Sequence, residues 1–263
     1  MSPWQAALLG AIQGFTEFLP ISSSAHLYIV PTLLRWPYAG VAFDVALHWG
    51  TLLALLAAFW RDWWSLGRAA LGSDPVERSH AWRTWLKLAV ASIPAAVTGL
   101  LLEGPAEVML RSLPLQAAML FVFGFALWAV DRLRAMSEDV AMPGFGTALL
   151  VGCAQALALV PGVSRSGITI TAGRAMGLSR TSAARFSFLL ATPITLGAGV
   201  LELRKLGHGV APLPLLIGVA TAAATGFLAI RGLIRWLGRS GFGVFFAYRA
   251  AFAALILLLA AHR

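Results

Sequence analysis

The stretch QGFTEFLPISSSAH, residues 13–26, places a carboxylate, three consecutive serines and a histidine between apolar segments of the chain. The residues before it are mostly apolar, and Pro20 ends any helix that reaches it, because proline lacks a backbone N–H and clashes with the preceding turn. After His26 the sequence becomes apolar again. The stretch therefore predicts a helix, a break at the polar residues, and a second half-helix.

The composition predicts that this break lies in a membrane. Of the 263 residues, 59% are hydrophobic and 12% are charged, with a mean hydropathy of +0.80. Soluble domains are usually about 45–50% apolar and about 25% charged. Six further apolar runs are long enough to cross a hydrocarbon core about 30 Å thick as helices. The predicted spans are residues 41–60, 86–102, 113–130, 186–203, 213–230 and 245–261.

A second segment repeats the pattern of the first. Residues 4–31 and 144–173 each contain a Gly-x-x-Gln sequence, starting at Gly10 and at Gly152, followed by a proline and a polar run. Three predicted spans separate the two segments, so segments that do not cross the membrane must enter it from opposite faces. Backbone that leaves helical geometry at membrane depth is tolerated only where it lines a cavity. The two breaks therefore predict a site where they meet.

These features predict an all-α integral membrane protein. We expect six transmembrane helices plus two re-entrant helix hairpins in an inverted-topology repeat. The chain would form a single membrane domain, residues 1–263, made of two inverted repeats at about 1–131 and 132–263.

The basic charge of the chain also fits a membrane protein. The net charge is +9, but the basic residues do not line one face, and nine of the eighteen arginines lie in predicted loops 61–85, 131–143 and 231–243. This distribution is typical of loops retained in the cytoplasm, and it argues against a nucleic-acid partner. We expect membrane lipids with anionic headgroups to contact these loops.

The first break carries groups that suit an anionic ligand. Gln13 and Glu17 are four residues apart and share a helix face. Ser22 and Ser23 supply hydroxyls at the start of the next half-helix, where free backbone N–H groups favour an anion. His26 could bond a hydroxyl or carry a proton.

The second break adds an arginine. The stretch PGVSRSGIT, residues 161–169, contains Arg165 with hydroxyls on both sides. The planar guanidinium fork bonds two phosphate oxygens at once. A buried Glu17 or Arg165 would cost about 2.5–3.5 kcal/mol or more at the centre of an inserted helix, which favours function over a structural ion pair. Arg249 is expected to snorkel or pair structurally, outside the site. The arginine, the hydroxyls and the helix starts at the two breaks together predict a phosphorylated ligand.

These motifs carry a family resemblance. The stretches QGFTEFLPISSSAHL and PGVSRSGITITAGRAMGLSRTSAARFSFLLATP, with YR in the last span, are similar to the undecaprenyl-diphosphate phosphatase family of the BacA type. The resemblance extends over essentially the whole chain. It implies a multi-pass hydrolase of the bacterial cytoplasmic (inner) membrane that removes the terminal phosphate of undecaprenyl diphosphate on the outer face. That reaction recycles the lipid carrier for peptidoglycan synthesis, and relatives confer bacitracin resistance.

The positions that match the family's motifs are the expected site residues of this sequence. Many relatives have Glu where this chain has Gln13, so this chain has one carboxylate in the motif instead of two. Many relatives also have Thr-Gly where this chain has Ser24 and Ala25. The resemblance implies a divalent cation, Mg²⁺ or Ca²⁺, with Glu17 as its expected ligand. The matched residues are Gln13, Glu17, Ser22, Ser23, His26, Ser164, Arg165, Ser166 and Thr169.

The residues favour a phosphoryl transfer with Ser23 as nucleophile. Glu17 or His26 would accept its proton, and Arg165 would neutralise charge on the phosphoryl oxygens. Direct attack by water, with Ser23 only binding phosphate, remains an alternative. Gln13, Ser22, Ser164, Ser166 and Thr169 are expected to bind the substrate.

A different function uses the same architecture. Inverted repeats with broken helices are also typical of secondary transporters, so a flippase of polyprenyl phosphate is the alternative prediction. The sequence leaves open whether the chain forms a homo-oligomer.

Overall fold

The computed structural model describes residues 1–38, 40–101, 112–134, 139–202 and 211–261. Within these residues the regular structure is helical, with a short 3₁₀ turn at Leu157–Leu159 between α7 and α8. The helices are α1 Pro3–Phe18, α2 Ser23–Leu33, α3 Val41–Ala58, α4 Trp60–Leu71, α5 Pro75–Leu101, α6 Leu113–Leu133, α7 Phe145–Ala156, α8 Arg165–Ala175, α9 Arg180–Glu202, α10 Pro212–Leu237 and α11 Gly243–Ala261.

The predicted all-α membrane architecture is confirmed. Within the described residues, α5, α6, α9, α10 and α11 are long and apolar enough to cross a membrane. A sixth span is obtained only if α3 and α4 are counted together. The predicted ends at residues 102 and 203 lie outside the described residues.

The first predicted span differs from the structure at its end. Residues 41–60 were expected to form one helix, but α3 ends at Ala58 and α4 continues at an angle of 69°. The sequence becomes more polar after Ala58, because α4 mixes tryptophans with charged residues. Trp64 in this helix is 68% exposed. Tryptophan and arginine together are typical of the membrane interface. The predicted loop 61–85 is therefore largely helical.

Both predicted helix breaks are present. The helix α1 ends at Phe18 and α2 begins at Ser23, while α7 ends at Ala156 and α8 begins at Arg165. The residues that cap α2 and α8, Ser22 and Ser164, both have a φ of 73°. Non-glycine residues rarely adopt this left-handed region, and such strain is concentrated at functional sites. The two breaks therefore share the same left-handed backbone conformation at the residue that precedes the second half-helix.

The two broken segments enter from opposite ends of the molecule. The ring of Trp4 at the start of α1 packs 4.9 Å from that of Trp36, just before α3 begins. Near the end of α8, Arg174 pairs with Asp131 at the end of α6, at 3.1 Å. This arrangement suits an inverted repeat, while the division into repeats near residue 131 stays a prediction.

Small residues let each broken segment pack closely on a long helix. A Cβ added at Gly10 or Gly14 of α1 would lie 2.1 Å from the Thr221 hydroxyl or 2.0 Å from that of Thr225, both on α10. In α7, a Cβ at Gly152 would lie 2.2 Å from a carbonyl oxygen of α5. Membrane helices associate through such close backbone contacts. These contacts fix α1, and with it Glu17, against the rest of the fold.

We expect Gly14→Ala to lower the thermal unfolding midpoint in detergent. The new methyl group would also lie 2.5 Å from the Ala222 carbonyl oxygen, so the backbones of α1 and α10 must separate. Such overpacking usually costs about 1–3 kcal/mol. The matched control is Gly232→Ala, where no atom lies within 4 Å of the added Cβ and no loss is expected. Equal midpoints for the two variants would contradict the proposed close packing.

Candidate active site

The two breaks bring Glu17 and Arg165 into direct contact. The Arg165 Nη2 donates to Glu17 Oε1 at 2.6 Å, although the residues are 148 positions apart. The Glu17 side chain is 7% exposed and that of Arg165 is 16% exposed. This ion pair lies at the meeting point of the two segments, where both side chains are largely shielded from solvent.

The second oxygen of Glu17 binds Ser23. The Ser23 hydroxyl donates to Glu17 Oε2 at 2.5 Å, and Gln13 Nε2 donates to the same oxygen at 3.1 Å. Ser23 lies in the first turn of α2 and is half-buried. A hydroxyl hydrogen-bonded to a carboxylate is the arrangement of a nucleophile and its base.

Arg165 is held in place from α9. Its Nη1 donates to the Thr195 hydroxyl at 2.7 Å and to the Ala191 carbonyl oxygen at 3.2 Å. The guanidinium is thus fixed by one helix while its other nitrogen reaches Glu17. Thr195 could not be identified from the sequence, because nothing in a transmembrane span marks a threonine as the partner of an arginine 30 residues away.

His48 forms the accessible edge of the site. Its Nε2 lies 3.9 Å from Glu17 Oε2, and its side chain is 42% exposed. The other ring nitrogen, Nδ1, donates to the Asp44 carbonyl oxygen at 2.8 Å. The nitrogen facing Glu17 is therefore an acceptor in the neutral ring and a donor in the charged ring. The sequence alone did not assign a role to His48.

His26 lies beside the site with both ring nitrogens occupied. Nδ1 donates to the Ser22 carbonyl oxygen at 2.8 Å, and Nε2 lies 2.6 Å from the Tyr248 hydroxyl. The ring also stacks on Phe252 with centroids 4.2 Å apart. Of the two bases expected for Ser23, the structure brings only Glu17 to its hydroxyl. His26 instead holds the carbonyl of the strained Ser22.

The hydroxyls of α8 make contacts that build the second break. Ser164 Oγ accepts from the Gly167 N–H at 3.2 Å and so caps α8. Ser166 donates to the Leu19 carbonyl oxygen at 3.2 Å, which joins α8 to the first break. Thr169 lies 2.6 Å from the Ser187 hydroxyl of α9. Their predicted role in substrate binding stays a prediction.

Two further hydroxyls lie at the start of α2, beside Ser23. Ser22 is buried, and its Oγ lies 3.2 Å from that of Ser24, which is exposed. The Ser22 side chain makes no capping hydrogen bond to α2. The first backbone N–H groups of a helix attract anions, so this end of α2 suits a phosphate.

The side-chain oxygen atoms at the site fit a divalent cation that binds together with a diphosphate. Among the described residues, no group of three or more His, Cys, Asp or Glu side chains could hold a metal ion. However, Gln13 Oε1 is a buried acceptor without a hydrogen-bond partner, one helical turn from Glu17. Mg²⁺ is commonly bound by one or two protein oxygens together with substrate phosphates. Gln13 and Glu17 match that pattern.

Arg249 occupies an unexpected position. It is fully buried rather than snorkelling to a surface, and it hydrogen-bonds to carbonyl groups of both breaks. From the sequence, Arg249 was expected to lie outside the site. Its position in the last span gave no sign that it faces the two hairpins.

Comparisons with known proteins point to one family. The family model described as bacitracin resistance protein BacA matches residues 6–255. An undecaprenyl-diphosphatase of Pelotomaculum thermopropionicum is 45% identical over 263 residues, covering 100% of this chain and 98% of the relative. An undecaprenyl-diphosphatase of Trichlorobacter lovleyi is 50% identical over 252 residues, covering 94% of this chain and 93% of the relative. An undecaprenyl-diphosphatase of Desulforudis audaxviator is 44% identical over 260 residues, covering 99% of this chain and 98% of the relative.

Proposed function

The chain belongs to the bacitracin resistance protein BacA family and is an undecaprenyl-diphosphatase, and we propose that Glu17, Ser23 and Arg165 carry its chemistry. The observation that supports this assignment is the contact of the Glu17 carboxylate with the Ser23 hydroxyl at 2.5 Å and with Arg165 at 2.6 Å. The products are undecaprenyl phosphate and inorganic phosphate.

In the proposed first step, Ser23 Oγ attacks the terminal phosphorus while Glu17 accepts its proton. The bond between that phosphorus and the bridging oxygen breaks, and undecaprenyl phosphate leaves. In the second step water attacks the phosphorus of the phosphoserine, and the bond between that phosphorus and Ser23 Oγ breaks. Glu17 returns its proton to Ser23 Oγ, and inorganic phosphate departs with the protons of the water. Arg165 neutralises charge on the phosphoryl oxygens, which is most of what phosphoryl transfer requires from a protein.

His26 has a positioning role in this proposal. It holds the Ser22 carbonyl oxygen at 2.8 Å, and Ser22 directly precedes the nucleophile. Tyr248 and Phe252 in turn fix the imidazole ring. His26 thus orients the first turn of α2 rather than removing the proton from Ser23.

A divalent cation would be held by Gln13 and Glu17 together with the substrate. When bound, it would supply positive charge that offsets the charge of the diphosphate. We expect a chelator to lower kcat/KM by at least about 10-fold, and added Mg²⁺ or Ca²⁺ to restore it. The measurement is phosphate release at fixed substrate with and without chelator. Unchanged kcat/KM in excess chelator would remove the cation from the proposal.

The proposed location is the bacterial inner membrane, with the site facing the periplasm or cell exterior. Arg180 pairs with Asp131 at 2.8 Å at the arginine-rich end of the bundle, which the positive-inside bias assigns to the cytoplasm. Thr195, which binds Arg165, lies about 22 Å further along α9 at 1.5 Å per residue. The site is therefore closer to the opposite end.

Phosphate release in detergent tests the function directly, because no membrane sidedness remains there. Purified protein mixed with undecaprenyl diphosphate should release inorganic phosphate with turnover. A flippase, the alternative prediction, would release none, and the names of the relatives give that alternative no support. Absence of phosphate release from folded protein, with and without divalent cation, would contradict the proposed hydrolysis.

A further inference from the structure

Arg249 is a buried charged residue that the proposed mechanism does not use. Its exposure is 0%, and its partners are all backbone carbonyl oxygens. Nε donates to Leu120 at 2.8 Å, Nη1 donates to Pro20 at 3.1 Å, and Nη2 lies within hydrogen-bonding distance of three more. These three are the carbonyl oxygens of Met119 at 3.2 Å, Gly162 at 2.9 Å and Val163 at 3.0 Å.

The carbonyls come from three different parts of the fold. Pro20 belongs to the first break, and Gly162 and Val163 belong to the second. The remaining two lie on α6, which packs against α11. One guanidinium therefore joins both breaks to the same pair of transmembrane helices.

Its partners lie close in sequence to the reacting groups. Pro20 follows Glu17 by three residues, and Val163 precedes Arg165 by two. The chain between each pair is too short to move independently of its anchor. The position of the Arg249 guanidinium thus fixes where the two halves of the site stand relative to one another.

The charge of Arg249 is not neutralised by a carboxylate within the described part of the chain. Burying a cation at membrane depth is costly, and here hydrogen bonds to the carbonyl oxygens of both breaks offset that cost. An uncharged side chain could not donate to all of these carbonyl oxygens at once. The guanidinium also lies beside the start of α8, since a Cβ added at Gly167 would be 3.0 Å from Nη1.

We propose that Arg249 is a positioning residue for the hydrolysis. It ties the two breaks together so that Ser23 and Glu17 meet Arg165, and its charge adds to the attraction for phosphate at the helix starts. This inference rests on the proposed function, because it concerns the same site.

The first test is Arg249→Lys. An ammonium keeps the charge but has three donors without the planar fork, so it cannot hold all five carbonyls. We expect kcat to fall about 100-fold, because a misplacement of about 1 Å at reacting groups has that effect. KM should change little, since Arg165 and the start of α2 remain. Both constants are measured by phosphate release in detergent.

The matched control is Arg174→Lys. Arg174 is also buried, at 2% exposure, and is held by Asp131 and by the Leu178 carbonyl oxygen at the arginine-rich end. This variant should lower the thermal midpoint while kcat per folded enzyme stays near that of the unchanged protein. A loss from general destabilisation would appear in both variants, whereas a positioning loss appears only at Arg249.

A second variant displaces the guanidinium without altering it. A Cβ added at Gly124 of α6 would lie 3.0 Å from Arg249 Nε and 3.1 Å from its Cδ. Gly124→Ala should therefore shift Arg249 by a few tenths of an ångström and lower kcat several-fold at unchanged KM. Gly232→Ala, which adds its methyl group to open space, should leave kcat unchanged.

The outcomes separate this inference from the proposed function. If the unchanged protein releases no phosphate, the proposed function is wrong. If it is active while Arg249→Lys and Gly124→Ala both keep its kcat, the positioning role is wrong. Should Arg249→Lys fail to fold, Gly124→Ala decides: reduced kcat at unchanged KM supports the role, and unaltered kcat overturns it.

Discussion

Glu17→Gln is expected to lower kcat/KM by about 10⁴, the upper end of what a general base contributes. The amide keeps the shape of the side chain but cannot accept the proton of Ser23. It also leaves Arg165 without the carboxylate that it contacts at 2.6 Å, so the resting site gains an unbalanced charge. The measurement is phosphate release from undecaprenyl diphosphate in detergent at several substrate concentrations.

The matched control is Asp62→Asn. Asp62 forms an ion pair of 2.7 Å with Arg185, and both side chains are substantially exposed at the arginine-rich end. The same chemical change there should leave kcat/KM close to that of the unchanged protein, because exposed ion pairs contribute little. A loss below 10-fold for Glu17→Gln, or an equal loss for the two variants, would argue against Glu17 as the base.

Arg165→Lys is expected to lower kcat about 10³-fold, in the range found when an arginine that stabilises a transferring phosphoryl group is removed. The guanidinium reaches Thr195 with one nitrogen and Glu17 with the other. A lysine presents one point charge and cannot make both contacts while facing the phosphate. Kinetics of phosphate release measure the effect.

Arg185→Lys is the control for that substitution, since Arg185 pairs with Asp62 outside the site. It should behave like the unchanged protein in both kcat and thermal midpoint. Near-normal turnover in Arg165→Lys would mean that a simple positive charge is sufficient, and the bidentate role of the guanidinium would have to be abandoned.

The sequence predicted that Glu17 and Arg165 would line one site, because two breaks that enter a membrane from opposite faces are expected to meet. It could not predict their direct contact, which depends on how the two segments pack. Thr195 and His48 could not be found from the sequence, because a threonine or histidine in a span gives no signal of which neighbour it faces. Only the packing of α3 and α9 around the breaks places them there.

The sequence could not separate the roles of the polar groups either. His26 and Glu17 were equal candidates for the base, since both lie within one or two turns of Ser23. The choice depends on Tyr248 and Ser22 engaging both nitrogens of the imidazole ring. In the same way, the bend after Ala58 follows from tryptophans that suit an interface better than a membrane interior.

The claim that a serine hydroxyl activated by Glu17 attacks the terminal phosphorus is tested most directly by trapping the covalent intermediate. The enzyme would be mixed with undecaprenyl diphosphate radiolabelled in its terminal phosphate and quenched with acid during the first turnover. We expect labelled protein, with the phosphoryl group on the peptide that contains Ser23 and no label on the Ser23→Ala variant. A completed turnover with no labelled protein at any quench time, or full activity of Ser23→Ala, would contradict it.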